Sequence, residues 1–396
     1  MEISILFNEL TIWNFFQLTG IGLGFILFYL LFRQNKNVKN YYPVIIFLIL
    51  TLAELLNQFL VDANLIKQIP AFLYLIEPFH MLPGLLIYLY VRNHSQNNHS
   101  FSSKDFILLT PFLFAFMVYL PFYFLSPAEK LTDFNKFGGL YPDIIDNIWE
   151  WIFEFTINVY FLIKALKEVS RYKSNIKEQL SDVENVDLKV VGFFIKINIG
   201  IYSTELLFVY LTFWGFPYYN VLFNFFHFAE ILLLFWLVYD GIVSHKHILE
   251  LRKGWIKLPQ TDIREKNEVM KYAKSALNEE SSLELQSRLT TYMKEHKPFL
   301  DPQLRIKSLS DKLEVPSHQI SQVINERFNQ NFYEFVNSHR VEEAKVLLTN
   351  PGHENFTLSS IGYEAGFNSK SAFFNAFKKN TNQTPAQFKT SQSIRK

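Results

Sequence analysis

TLSSIGYEAGFNSKSAFFNAFKK, Thr357 to Lys379, reads as two short helices joined by a glycine turn. Thr357 is placed to cap the first helix by accepting from its free amides. Leu358, Ile361 and Ala365 recur at helical spacing, and Gly366 permits the left-handed backbone that ends a helix. Asn368 or Ser369 caps the second helix, and Phe373, Phe374 and Phe377 supply its packing face. Lys370, Ser371, Ala372 and Asn375 are left pointing outward. Lys378 and Lys379, at its end, are placed for phosphate contacts, which hold register without reading sequence.

A second arrangement of the same kind lies upstream, in RIKSLSDKLEVPSHQISQVINERF, Arg305 to Phe328. Leu309 and Leu313 face one way on a first helix, Val315 sits in a tight turn, and Ile320, Val323 and Ile324 line a second helix. His318, Ser321, Gln322 and Asn325 remain on the other side. A recognition helix needs this division, with apolar residues mounting it and short polar ones directed at base edges. Between the two runs NFYEFVNSHRVEEAKVLLTN, Asn331 to Asn350. Its Phe335, Val336, Ala344, Leu347 and Leu348 mark a helix of about 25 Å, long enough to hold two recognition helices in successive major-groove segments.

The series SLSDKL, QISQVIN, NFYEFVNSHRVEEAKVLL, IGYEAGFNSKSAFFNAFKK and TPAQF resembles the DNA-binding domain of the AraC/XylS family of bacterial transcription regulators. The resemblance covers about residues 301–390 and includes both helix-turn-helix motifs, the linker helix with Arg340, and Thr384-Pro385. It implies base readers at His318, Ser321 and Gln322 in the first motif and Ser371, Ala372 and Asn375 in the second. It also implies double-stranded DNA as a partner, with RNA polymerase as a further one, and action as a homodimer. The chain departs from the family pattern at Asn329 and Asn382, which stand where glycine is usual, and at Pro316, which replaces a serine cap. Asparagine tolerates the left-handed conformation best after glycine. No arginine falls on either base-facing surface, so readout leans on Lys370, Gln322, Asn375 and DNA shape.

The rest of the chain has a different composition. The whole chain holds 42 Phe and 20 Tyr in 396 residues, far above ordinary usage, and 49% of its residues are hydrophobic. The net charge of +1 averages an apolar half with a polar half. With no cysteine there is no disulfide framework and no thiolate chemistry. Spanning a bilayer takes about 20 mostly apolar residues, and seven runs qualify: 11–32, 41–61, 70–91, 106–125, 144–163, 190–213 and 219–240. The amino terminus carries Glu2 and Glu9 and no basic residue, so the first run reads as an anchor rather than a cleaved signal. Arg33, Lys36, Lys39, Arg92, Lys104, Lys164, Lys167, Arg171, Lys173, Lys177 and Lys189 lie in the loops on the carboxyl-terminal side, against Lys67, Lys130 and Lys136 on the other. The excess places the amino terminus outside and the tail inside, as an odd span count requires.

The expected architecture is therefore all-α: a seven-helix transmembrane bundle over 1–240, a connector over 241–300, and a double helix-turn-helix domain over 301–396. In the connector, residues 241–260 are basic and aromatic, suited either to anionic lipid headgroups or to a solvated linker. Asp262 with Glu265 and Ser281 with Glu284 have capping-box spacing. Within the spans, Glu54, Glu77, His80, Glu150, Glu154, Lys196, Glu205, His227 and Glu230 are ionisable, and such groups face a bundle interior. Glu77, His80, Lys196, Glu205, His227 and Glu230 either line a site for a small molecule or envelope signal or pair with one another as interhelical glue. The sequence contains no catalytic motif, no phosphate-cradling loop, no metal-ligand motif and nothing that calls for a cofactor. The reading is a transcription regulator in the bacterial inner membrane, with its DNA-binding domain in the cytoplasm. The alternatives are a transporter or membrane enzyme with a docking tail, and a constitutive regulator with a passive anchor.

Overall fold

The computed structural model describes residues 11–34, 42–95, 103–136, 144–181, 189–214, 228–229, 231–232 and 277–393. Among these residues the secondary structure is helical apart from one isolated antiparallel bridge, Leu180 with Arg305. The chain divides into two compact units. One comprises residues 1–170 and 188–255, the other residues 171–187 and 256–396.

The amino-terminal unit contains α1 (Ile12–Gln34), α2 (Tyr42–Asp62), α3 (Pro83–Ser95), α4 (Thr110–Tyr123), α5 (Pro127–Lys136), α6 (Ile144–Lys177, up to Ser170) and α7 (Lys189–Phe213). Seven spans are not what the described residues present. Four helical stretches are long and apolar enough to cross a membrane: Ile12–Tyr29, Tyr42–Asp62, Asp105–Tyr123 and Val191–Leu211. A fifth is possible if Pro70–Met81 and Pro83–Asn93, which meet at a 45° bend, form one broken span. The stretch expected at 144–163 is helical within α6, but Asp146, Glu150 and Glu154 interrupt its apolar character. The stretch at 219–240 lies almost wholly outside the described residues, as do Asp262 and Glu265.

Outward apolar side chains fit this composition, with Phe114 62% and Met117 66% exposed on α4. Buried polar groups tie neighbouring helices instead. Gln17 of α1 donates to Asp62 of α2 at 2.6 Å, and Gln58 donates to the same carboxylate at 3.1 Å. The bend before α3 interrupts the backbone ladder, and Asn158 of α6 repairs it from both sides. Its Oδ1 accepts from the Gly84 amide at 2.8 Å, and its Nδ2 donates to the His80 carbonyl at 2.9 Å. A broken helix in an apolar environment needs such a partner, because an orphaned backbone group there costs several kcal/mol. A β-carbon on Gly84 would lie 2.5 Å from the Asn158 carbonyl oxygen, so only glycine lets the two helices meet this closely.

The carboxyl-terminal unit contains the end of α6 from Arg171, then α8 (Glu279–His296), α9 (Ile306–Leu313), α10 (Ser317–Phe328), α11 (Phe332–Thr349), α12 (Leu358–Glu364), α13 (Lys370–Thr381) and α14 (Pro385–Ser393). The cap of α8 is Asn278, whose side chain accepts from the Ser281 amide at 2.7 Å. Ser281, the cap that the sequence spacing suggested, therefore lies inside the helix, three residues past the actual cap. Leu289 and Met293 of α8 and Phe299 beyond it join the first core cluster, so the unit begins well before residue 301.

Two hydrophobic clusters share α11. Phe332, Phe335 and Val336 enter the first, with Leu309, Leu313, Ile320 and Ile324. Val341, Ala344, Leu347 and Leu348 enter the second, with Ile361, Phe367, Phe373 and Phe377. The division falls at Asn337 and Arg340, which are 3% and 1% exposed. At 18 residues and about 1.5 Å per residue, α11 is a spine of about 27 Å with one motif mounted on each end. A capping box starts it, with Asn331 accepting from the Glu334 amide at 2.9 Å and Glu334 accepting from the Asn331 amide at 3.3 Å.

Candidate nucleic-acid interface

The first motif is α9, a turn, and α10. Helix α9 ends where Glu314 adopts φ 54°, and the Val315 amide returns to the Ser310 carbonyl at 3.1 Å. Pro316 precedes α10 with no side-chain cap, as the missing serine implies. Ile320, Val323 and Ile324 are fully buried and mount the helix. Asn329 ends it at φ 52°, the left-handed role expected of it.

The second motif matches its sequence reading closely. Thr357 accepts from the Ser360 amide at 3.1 Å to cap α12, and Ser369, rather than Asn368, caps α13 by accepting from Ala372 at 3.0 Å. Gly366 lies at φ +92°, and a β-carbon there would meet the Phe299 carbonyl oxygen at 2.4 Å. Phe373 and Phe377 are fully buried, Phe374 partly. Asn382 ends α13 at φ 57°.

Of the side chains expected to face DNA, His318, Asn325, Lys370, Ser371, Asn375, Lys378 and Lys379 are exposed, and Ser321 and Gln322 are half-buried. Ala372 is different: it is 8% exposed and packs in the second cluster, because the position after Ser371 turns inward with Phe373. Several of the outward groups already hold partners. Gln322 donates to Glu326 at 3.0 Å, and Lys370 lies over the Phe374 ring, 5.5 Å from its centroid. Lys379 donates to Glu334 at 2.5 Å, a contact that holds the Glu334 carboxyl below its ordinary range. Ser321 and Asn325 both donate to Glu178, at 3.0 and 3.4 Å. Asn375 and Lys379 also line an open cleft of about 300 Å³ with Asn329, Tyr333 and Asn337.

Arg340, identified only as part of the linker helix, is the hub of the unit. Its guanidinium donates to the carbonyls of Phe299 at 2.7 Å, Asp301 at 2.8 Å and Ser181 at 3.1 Å, to Ser181 Oγ at 3.1 Å, and to Asn337 Oδ1 at 3.3 Å. It also lies over the Phe367 ring, 5.8 Å from the centroid. Neither the Ser181 contacts nor those of Glu178 could be read from spacing, since both join residues more than 140 positions apart.

Among the intramembrane candidates, the structure brings Glu77 and His80 together with Glu54 of α2. His80 Nε2 lies 2.7 Å from Glu54, and its Nδ1 3.6 Å from Glu77. Lys196 is exposed and Glu205 half-buried on α7. His227 and Glu230 lie outside the described residues.

A helix-turn-helix domain model matches residues 309–391. An uncharacterized HTH-type transcriptional regulator of Staphylococcus aureus (strain COL) is 31% identical over 86 residues, 22% of this chain. The chain spans only 11% of that relative's length. A solved protein of unknown function from Listeria innocua aligns over 26% of this chain and 93% of its own, at 24% identity and a TM-score of 0.23. Residues 309–391 are thus a helix-turn-helix domain, the kind of module that binds DNA.

Proposed function

We propose that this protein is a membrane-bound, one-component transcription regulator of the AraC/XylS type, whose helix-turn-helix pair binds promoter DNA. The observation that carries the reading is α11. One rigid helix holds two complete motifs, on a chain that also contains several apolar helices of membrane-spanning length. The base-reading groups are His318, Ser321, Gln322 and Asn325 on α10, and Ser371 and Asn375 on α13. Lys370, Lys378 and Lys379 grip phosphates. The amino-terminal helices sit in the inner membrane of a bacterium and sense a small molecule or envelope state, with Glu77 and His80 among the sensing groups. Two copies act on paired sites, in contact with RNA polymerase.

The test uses the full chain in lipid nanodiscs and a fluorescent duplex containing the DNA upstream of its own gene. Each phosphate neutralised adds about 0.9 to the slope of log affinity against log salt. Three lysines therefore give a slope of about −3 or steeper. Replacing Lys370, Lys378 and Lys379 by glutamine lowers that slope by about 3. Affinity that is flat in salt, or equal for the upstream duplex and a scrambled one, defeats the reading.

A further inference from the structure

The side chains that would read bases on the first recognition helix are occupied by the chain itself. Helix α6 ends at Lys177, and the residues after it lie against the first motif. Glu178 accepts from Ser321 Oγ at 3.0 Å and from Asn325 Nδ2 at 3.4 Å. Both donors are on the outward face of α10, opposite Ile320, Val323 and Ile324. A carboxylate there takes the hydrogen-bond donors that a base edge or phosphate would take, and adds a negative charge where the DNA backbone would pass.

This is a built contact rather than a chance meeting of surface side chains. The Ser181 amide donates to the Leu304 carbonyl and the Ile306 amide to the Gln179 carbonyl, both at 3.1 Å, closing an antiparallel bridge around Leu180 and Arg305. The second of these bonds does a specific job. Ile306 opens α9, and its cap position, Arg305, offers no side-chain acceptor. The Gln179 carbonyl thus satisfies one of the amides that every helix start leaves free. Leu180 and Ser181 are 6% and 1% exposed, and Arg340 grips Ser181 through both its carbonyl and its hydroxyl.

We propose that Lys177–Ser181 is an intramolecular docking segment that covers the first recognition helix, so that DNA and this segment compete for Ser321 and Asn325. The proposal rests on the DNA-binding reading above. The conformation described here is then the closed one, and DNA binding requires Glu178 to leave α10. Because the segment is continuous with α6, any change that withdraws the end of that helix uncovers the reader.

The bridge supplies a direct test. Leu180 and Arg305 form the non-hydrogen-bonded kind of antiparallel pair, whose α-carbons lie about 4.5 Å apart and suit a disulfide. The chain has no native cysteine, so the double variant Leu180→Cys/Arg305→Cys introduces the only two thiols. In nanodiscs under mild oxidant it is expected to crosslink. The oxidised form should bind the upstream duplex at least tenfold more weakly than the same sample after reduction. Failure to crosslink, or equal affinity in both redox states, overturns the proposal. If the reduced protein shows no salt-dependent DNA binding at all, the DNA-binding reading itself has failed, and the two outcomes are distinct.

A second variant needs no crosslink. Glu178→Ala removes both contacts and one charge, and Asp311→Ala removes one charge from an exposed position on α9. Glu178→Ala should bind the duplex about tenfold more tightly than Asp311→Ala, the effect of freeing two charge-assisted hydrogen bonds. Affinities within twofold of each other would show that the carboxylate acts only through net charge, and would sink the competition.

Discussion

Replacing Arg340 by methionine tests whether one guanidinium holds the carboxyl-terminal unit together. Methionine keeps an unbranched apolar stem like that of arginine but removes every donor. Three of the five acceptors are backbone carbonyls, those of Phe299, Asp301 and Ser181, which cannot be mutated away with it. The site is 1% exposed, so water cannot easily replace the lost donors. Leaving a buried acceptor unpaired costs about 1–3 kcal/mol. The Asp301 carbonyl keeps the Leu304 amide at 3.2 Å, which leaves the Phe299 and Ser181 carbonyls and the Ser181 hydroxyl, together costing at least about 3 kcal/mol. The gain from no longer burying a charge offsets part of this, which keeps the net loss near 3–5 kcal/mol. That is a large share of the roughly 5–15 kcal/mol that holds a domain folded.

The assay is hydrogen exchange on the full chain in detergent, read at the slowest amides of α10 and α13. A loss of about 3 kcal/mol speeds exchange through global opening by more than 100-fold. Both helices should respond, because the guanidinium is bonded beside the first cluster and lies over Phe367 of the second. Arg340→Lys should recover only part of the loss, since an ammonium has three donors and no planar fork. An Arg340→Met variant whose α10 and α13 amides exchange within fivefold of wild type would refute the hub.

Further outcomes follow from single positions. Gly366→Ala should destabilise the carboxyl-terminal unit by about 3 kcal/mol or more, because φ is +92° and the new methyl meets the backbone of Phe299 and Leu300; Asn382→Gly, at φ 57°, should be neutral or stabilising by about 0.5–1 kcal/mol, both read as urea midpoints. Stability should fall as pH drops through about 6.5, because burial between the Phe299 and Phe335 rings holds His339 below its ordinary range while the unfolded chain takes up the proton. His339→Gln should remove that component of the denaturation profile between pH 7.5 and 5.5. Gly84→Ala should collapse the amino-terminal unit, measured as the loss of monodisperse protein in detergent, while Gly192→Ala, whose new methyl meets nothing within 4 Å, should leave the yield unchanged.

The carboxyl-terminal motifs were legible in the sequence because their signals are local. Thr357 and Ser369 cap within three residues, Gly366 and the two asparagines act through their own φ, and the phenylalanines of α13 repeat within one or two turns. The misreadings have local causes as well. Ser281 with Glu284 satisfied the capping spacing, but Asn278 stood one turn earlier and took the Ser281 amide. Ala372 lies next to outward residues, but a 100° step per residue carries it to the side of Phe373. Apolar length alone counted one stretch that the described residues do not support as a span, for a related reason. It registers α6 as a span, although Asp146, Glu150 and Glu154 punctuate that helix.

Long-range polar contacts have no such signature, and they hold the most specific features of the molecule. Glu54 meets His80 across 26 positions, Asn158 repairs a bend 74 positions away, and Arg340 reaches Ser181 across 159. Nothing in the sequence near Lys177 to Ser181 suggests more than the end of a basic helix. Its role emerges only when Gln179 is found capping α9 and Glu178 is found on α10. A segment that completes the fold of the reader while covering its reading face links two requirements. It cannot leave without freeing the Ile306 amide and the Arg340 donors that hold the Ser181 carbonyl and hydroxyl. Opening therefore carries a built-in cost, and whatever drives it, DNA or a change at α6, must supply that difference in binding energy between the two states.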